Sequence, residues 1–192
     1  MFNYLYNMLF SSVPGQKEVK DKLVQMVAHN RLSHALLFLG KEGSGALQLA
    51  NAFAQYIVCE QKNEDACGNC ASCKKASSMM HPDIHYSFPT ITRNGLEKPV
   101  CNDFIEEWRN FNAEMPYGNA FDWLQYLEAE NKQGNITAHE CEDIIRKLNL
   151  KSFESGFKIL IQWMPEYLGS SGNKLLKLIE EPPAKTLFIL VA

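Results

Sequence analysis

An α/β fold, with a parallel sheet and helices on both faces, is predicted by three features of this 192-residue sequence. Apolar strand candidates alternate with amphipathic helix candidates, the order that makes a parallel sheet with crossover helices. The first strand candidate, 35–39, is an apolar run without alternation, as expected of a strand covered on both sides, and further candidates lie at 84–88, 157–162 and 187–191. The candidate at 35–39 runs into a glycine-rich loop and then a helix, the outline of a phosphate-binding loop.

The elements follow in order. After the turn Val13-Pro14-Gly15-Gln16, the apolar residues Val19, Leu23, Met26 and Val27 fall at helical spacing. The helix after the glycine loop carries Ala46, Leu49, Ala50, Phe53, Ala54, Ile57 and Val58, nearly a continuous buried face. His81-Pro82-Asp83 breaks the helix that follows the cysteines and introduces the second strand. Residues 89–135 read as an inserted helical pair lying on the surface and outside the sheet. Its first helix is opened by an Asp103–Glu106 capping pair, and its second holds Phe121, Leu124 and Leu127. Thr137-x-x-Glu140 is a capping box for a helix with Cys141, Ile144, Ile145 and Leu148 on its inner face. Ser170 or Ser171 caps a last helix through Leu175, Leu176 and Ile179, which Pro182-Pro183 stops. A chain ending in a buried-type strand predicts that the domain continues past Ala192.

Composition narrows the function classes. A chain this long buries a sizeable core as one domain with a small satellite at most. The net charge of −3 argues against a basic nucleic-acid surface, and the acidity is local: residues 103–131 hold seven of the 22 acidic side chains and only one of the 19 basic ones, Arg109. No apolar run approaches the roughly 18 residues of a membrane span. The aromatic opening, Met1 to Phe10, lacks the positive flank and cleavage site of a signal peptide, so a cytoplasmic protein is expected.

A working phosphate loop needs G-x-x-x-x-G-K-[ST], in which the Lys reaches the β and γ phosphates and the hydroxyl binds Mg²⁺. Here Gly40 and Gly45 stand at the right spacing, with Gly43 between them, but Ala46 replaces the Lys and Leu47 the hydroxyl. Losing two charge-assisted contacts of roughly 1.5 to 3 kcal/mol each weakens nucleotide binding by about 10²- to 10⁴-fold. Lys41 lies at the start of the loop and does not replace them. The acid that manages Mg²⁺ at the end of a neighbouring strand is also missing: Gln162-Trp163-Met164-Pro165 follows the third strand, and Glu166 lies beyond the proline. Tight ATP binding is therefore not expected, and no catalytic residue is assigned. The amides at Gly40, Gly43 and Gly45 are left as a vestigial phosphate loop able to take sulfate or phosphate weakly.

Cys59, Cys67, Cys70 and Cys73, spaced C-x7-C-x2-C-x2-C, suit one structural Zn²⁺ in a closed Cys₄ shell, with residues 59–73 as a zinc module. Free thiols or a redox C-x-x-C pair are the plainer alternatives. Cys141 reads as core and Cys101 is uncommitted; His34, His81 and His85 read as structural. A zinc-dependent nucleic-acid module is disfavoured by the scarcity of cations near the cysteines, chiefly Lys62, Lys74 and Lys75.

Residues 31–40, the cysteine cluster, His81-Pro82-Asp83 and Asn173-Lys174-Leu175-Leu176-Lys177-Leu178-Ile179-Glu180-Glu181-Pro182-Pro183 together resemble the clamp-loader subunits of bacterial DNA polymerase III. The resemblance covers roughly 10–88 and 136–192 and implies an AAA+ nucleotide-binding fold, residues 1–192 forming its N-terminal domain. Motor subunits of that family, gamma or tau, have intact nucleotide motifs, whereas delta-prime subunits have degenerate ones and a similar zinc module. The departures at Ala46, Leu47, Trp163 and Met164 make this sequence more similar to the delta-prime type. By resemblance, its role is that of a non-hydrolysing member of a heteropentamer with gamma/tau and delta that opens the sliding clamp and loads it on primed DNA. The family's Ser-Arg-Cys motif, which lends an arginine to a neighbouring motor, would lie beyond Ala192. The alternative is an active motor-type AAA+ ATPase with atypical motifs.

Overall fold

The computed structural model describes residues 8–93, 95–129 and 132–192. Most of the aromatic opening, and Glu130 of the acidic segment, lie outside the described residues. Four strands, β1 (Ala35–Phe38), β2 (Ile84–Ser87), β3 (Lys158–Trp163) and β4 (Thr186–Val191), form one parallel sheet in the order β1-β4-β3-β2. The helices are α1 (Lys17–Ala28), α2 (Ala46–Val58), α3 (Ala71–Ser77), α4 (Ile105–Glu114), α5 (Ala120–Tyr126), α6 (Ala138–Asn149) and α7 (Asn173–Glu180).

Strand alternation divides the core in two. Ile159, Ile161, Leu187 and Ile189 face the layer built on α2, while Leu160 and Phe188 meet Cys141, Ile144 and Leu148 of α6 and Leu175 of α7. Helices thus cover both faces, as the apolar central strands require. Every residue of α2 from Leu47 to Val58 is buried, because the sheet lies on one side and the chain's start and α3 wrap the other. Phe10 packs against the rings of Phe53 and Tyr56 at centroid distances of 6.4 and 5.5 Å. A helix apolar on most of its circumference is stable only in such a place.

Four local expectations are corrected. Among the described residues, β1 lies at one end of the sheet, and Leu37 is 60% exposed where a strand covered on both faces was expected. The Thr137 capping box is half made, since Thr137 Oγ1 accepts from the Glu140 N–H at 3.1 Å while the Glu140 carboxylate accepts from the Cys101 N–H at 2.7 Å. Buried Glu140 is more useful to the otherwise unpaired Cys101 amide than to the exposed cap. Asp103 caps the 3₁₀ turn Cys101–Phe104 by accepting from the Val100 N–H, rather than opening α4 with Glu106. Helix α7 begins after Gly172 with no side-chain cap from Ser170 or Ser171.

Segment 89–135 is closed at its base by paired hydrogen bonds between Thr90 and Asn135, and α4 and α5 stay out of the sheet. They are not a mere surface pair, however, because Phe104, Trp108, Phe111 and Trp123 are almost wholly buried. The Trp108 ring stacks on Phe88 just after β2, at 4.2 Å, and tilts against Trp163 at the end of β3, at 5.1 Å. Trp123 donates its indole N–H to the Pro89 carbonyl at 2.7 Å.

Candidate phosphate loop and metal centre

The glycine loop lies where β1 ends and α2 begins. Gly40 donates to the Ala192 carbonyl after β4 at 3.0 Å, and Ser44 donates to the Lys41 carbonyl at 3.0 Å, folding the loop into a tight turn. Gly45 caps α2 with φ +80°, a left-handed conformation that glycine adopts without a Cβ clash. The first hydrogen bond of α2 runs from Leu49 to Gly45, which leaves the amides of Ala46, Leu47 and Gln48 without a helical acceptor. That is the arrangement in which a helix start holds an anion. The side chains that would complete it are absent, as Ala46 and Leu47 stand in the first turn.

The strand end opposite is equally altered. Gln162 is buried and donates to Ser87 Oγ at 3.1 Å, tying β3 to β2. Trp163 fills the next position under the α4 and α5 aromatics, and Met164 turns the chain at φ +53° into Pro165. The hollow over the loop measures about 150 Å³, below the roughly 300 Å³ at which small-molecule sites begin. Its charged lining is Lys41 against Glu42 and Glu166.

Sequence reasoning missed Tyr117 and Asn119, which reach this hollow from the turn between α4 and α5. The residues Pro116-Tyr117-Gly118-Asn119 have the composition of a turn, which carries no information about what lies beneath it.

The cysteines form the second site. The sulfurs of Cys59, Cys67, Cys70 and Cys73 lie within 4.8 Å of one another. Tetrahedral thiolates 2.3 Å from a zinc ion would sit about 3.8 Å apart, and Cys67 and Cys73 already approach to 3.9 Å. Cys59 ends α2 and Cys70 caps α3, so two rigid helices set the separation. Three amides point at sulfur: Cys67 N–H to Cys59, Cys70 N–H to Cys67 and Cys73 N–H to Cys70, at 3.2, 3.4 and 3.4 Å. Such donors favour thiolate, and those of Asn69 and Cys70 pull the Cys67 thiol down to about 6. Burial acts the other way on Cys73 and Cys59. The cluster can hold a metal ion, and its closed shell offers no reaction site.

The remaining candidates are structural. Cys101 and Cys141 are buried thiols whose pKa burial raises. The His34 carbonyl accepts from Phe188 N–H at 2.8 Å, and His81 Nδ1 accepts from Asp83 N–H at 3.1 Å. Burial, with Lys147 nearby, lowers the pKa of His85 to about 4.

A family model described as DNA polymerase III, delta subunit, matches residues 15–192. The chain belongs to that family. Among its relatives in the polymerase III family, subunit delta' of Bacillus subtilis is 26% identical over 92% of this chain and 41% of its own length. Subunit delta' of Escherichia coli is 25% identical over 88% and 40%. Subunit tau of B. subtilis is 26% identical over 94% of this chain and 25% of its own length. The chain therefore spans about two fifths of the length of the delta' relatives. No helix among the described residues is long and apolar enough to cross a membrane.

Proposed function

We propose that this chain is the AAA+ N-terminal domain, residues 1–192, of a delta-prime-type clamp-loader subunit that does not hydrolyse ATP. In this reading it is a structural member of a cytoplasmic assembly with gamma/tau and delta, and through that assembly it helps to open the sliding clamp and load it on primed DNA. Residues 59–73 form a structural zinc module on the domain and 89–135 an inserted helical unit. The observation that carries the reading is the coincidence at one place of a retained strand, glycine loop and helix with Ala46, Leu47 and Trp163 where nucleotide chemistry needs Lys, a hydroxyl and an acid. A motor would not lose both halves of its site together.

The test uses the full-length protein with its cognate gamma/tau, delta and clamp. A stable complex whose clamp loading depends on this subunit, with background phosphate release from the subunit alone, is the expected result. Phosphate release by the subunit alone that disappears on Gly45→Val would instead establish a motor of the gamma/tau type, to whose tau member the chain is also similar.

A further inference from the structure

The turn between α4 and α5 lies on the glycine loop. The Tyr117 ring is so close above Gly45 that a Cβ on this glycine would meet Tyr117 Cε1 at 3.1 Å. Asn119 Nδ2 donates to Glu42 Oε2, within the loop, at 3.1 Å. Asn119 cannot drift, because its Oδ1 also accepts from the Asp122 N–H at 2.9 Å to cap α5, and Asp122 returns a bond to the Asn119 N–H at 2.9 Å. Gly118 lets the turn lie flat: a Cβ there would come within 2.6 Å of Phe111 Cζ. Below the turn, the aromatic cluster of Trp108, Phe111 and Trp123 rests on Trp163, with the Trp108 and Phe111 rings 5.1 and 6.3 Å from it.

We propose that the Tyr117–Asn119 turn is a built-in stopper of the phosphate loop, and that Trp163 is the positioning residue that seats it. The stopper covers the start of α2 with an aromatic ring, uses Glu42 as its latch, and leaves a hollow of about 150 Å³ with one more carboxylate than ammonium in its lining. An anion meeting the loop amides would have to displace Tyr117 and approach Glu42 and Glu166. An acid at position 163 would be buried under Trp108 without a partner, whereas an indole fits there. One side chain, Trp163, thus both leaves the strand end without an acid and seats the turn.

This inference rests on the reading of the loop as one that has lost its nucleotide chemistry, and it adds how the chain itself restricts anion access to the remaining amides. The test titrates pyrophosphate and, separately, Mg·ATP into the full-length protein and its Tyr117→Ala and Tyr117→Phe variants by calorimetry. Hydrogen exchange of the Gly43 to Leu47 amides is followed in parallel, and circular dichroism checks that Tyr117, 40% exposed, can be replaced without unfolding. With the stopper removed in Tyr117→Ala, pyrophosphate affinity and amide exchange each rise by about tenfold or more. Tyr117→Phe, which keeps the ring, behaves as the unaltered protein. Equal pyrophosphate affinity and exchange in all three proteins, bound or unbound, would overturn the stopper while leaving the proposed function standing. Micromolar Mg·ATP binding by the unaltered protein would overturn both, and the separate ATP arm distinguishes the two failures.

Discussion

At the scale of single residues, Asp83 shows how the His81-Pro82-Asp83 motif works. Its buried carboxylate accepts from the backbone N–H groups of Phe153, Glu154 and Ser155, the last two at 2.7 and 2.8 Å, and so holds the loop that feeds β3. Burial alone would raise its pKa, but the N–H groups of Phe153, Ser155 and Glu154 outweigh burial and lower it. A lowered folded pKa means that the stabilisation is complete above the unfolded value of about 3.9 and is lost as pH falls through the folded one. Asp83→Asn should therefore cost about 2 to 3 kcal/mol in urea unfolding at pH 7, and the gap to the unaltered protein should narrow on acidification below pH 4. A gap that stayed constant with pH would refute the assignment. Glu140 has the opposite sign. Burial raises its pKa despite the Cys101 N–H, so its contribution is full below the unfolded value of about 4.3 and falls as pH rises through the folded one. Glu140→Gln, which still offers an oxygen to Cys101, is expected to match or exceed the unaltered stability at pH 7; a loss above about 2 kcal/mol would show that the charge itself is needed.

At the scale of elements, the proposed zinc module and the insertion call for different forces. In the first, α3 has only seven residues and is too short to persist alone. A metal ion held through Cys70 and Cys73 would supply what helix propensity cannot. Elemental analysis is expected to find one zinc ion per chain, and chelation to raise hydrogen exchange across 59–77 while β3 and β4 stay protected. Native cysteines that react freely with a thiol reagent before chelation would contradict this. The insertion is held by aromatic burial, and Trp108→Ala should cost about 3 to 5 kcal/mol and expose Trp163 to fluorescence quenching by acrylamide. Full stability after that change would mean that α4 packs elsewhere. Phe104, Trp108 and Phe111 recur at helical spacing, which marks an apolar side but not the surface it meets. Phe88 and Trp163, which receive it, lie just after β2 and at the end of β3, some 16 residues before Phe104 and more than 50 after Trp108 in the sequence, and local periodicity carries no information about such partners. For the same reason the sequence left Tyr117 in a turn with no function.

At the scale of the whole molecule, the sheet was readable because β1 and β4 are short, mainly apolar runs, β2 and β3 carry enough apolar residues to read as strands, and the order of strands and helices leaves little freedom in a parallel fold. The cysteine cluster was readable because its four members are close in sequence. Exposure of Leu37 was not, since Ala35 to Phe38 has the composition of a covered strand, and only the sheet order of the described residues shows where β1 lies. The phosphate loop lies between these cases. Its spacing was legible and its lost side chains could be named, but its closure by another part of the chain became visible only in three dimensions. In the proposed function the domain keeps the frame of a nucleotide site and fills its space with protein. In a calorimetric titration with Mg·ATP the full-length protein is expected to bind no more tightly than about 1 mM; a micromolar, Mg²⁺-dependent dissociation constant would overturn that reading.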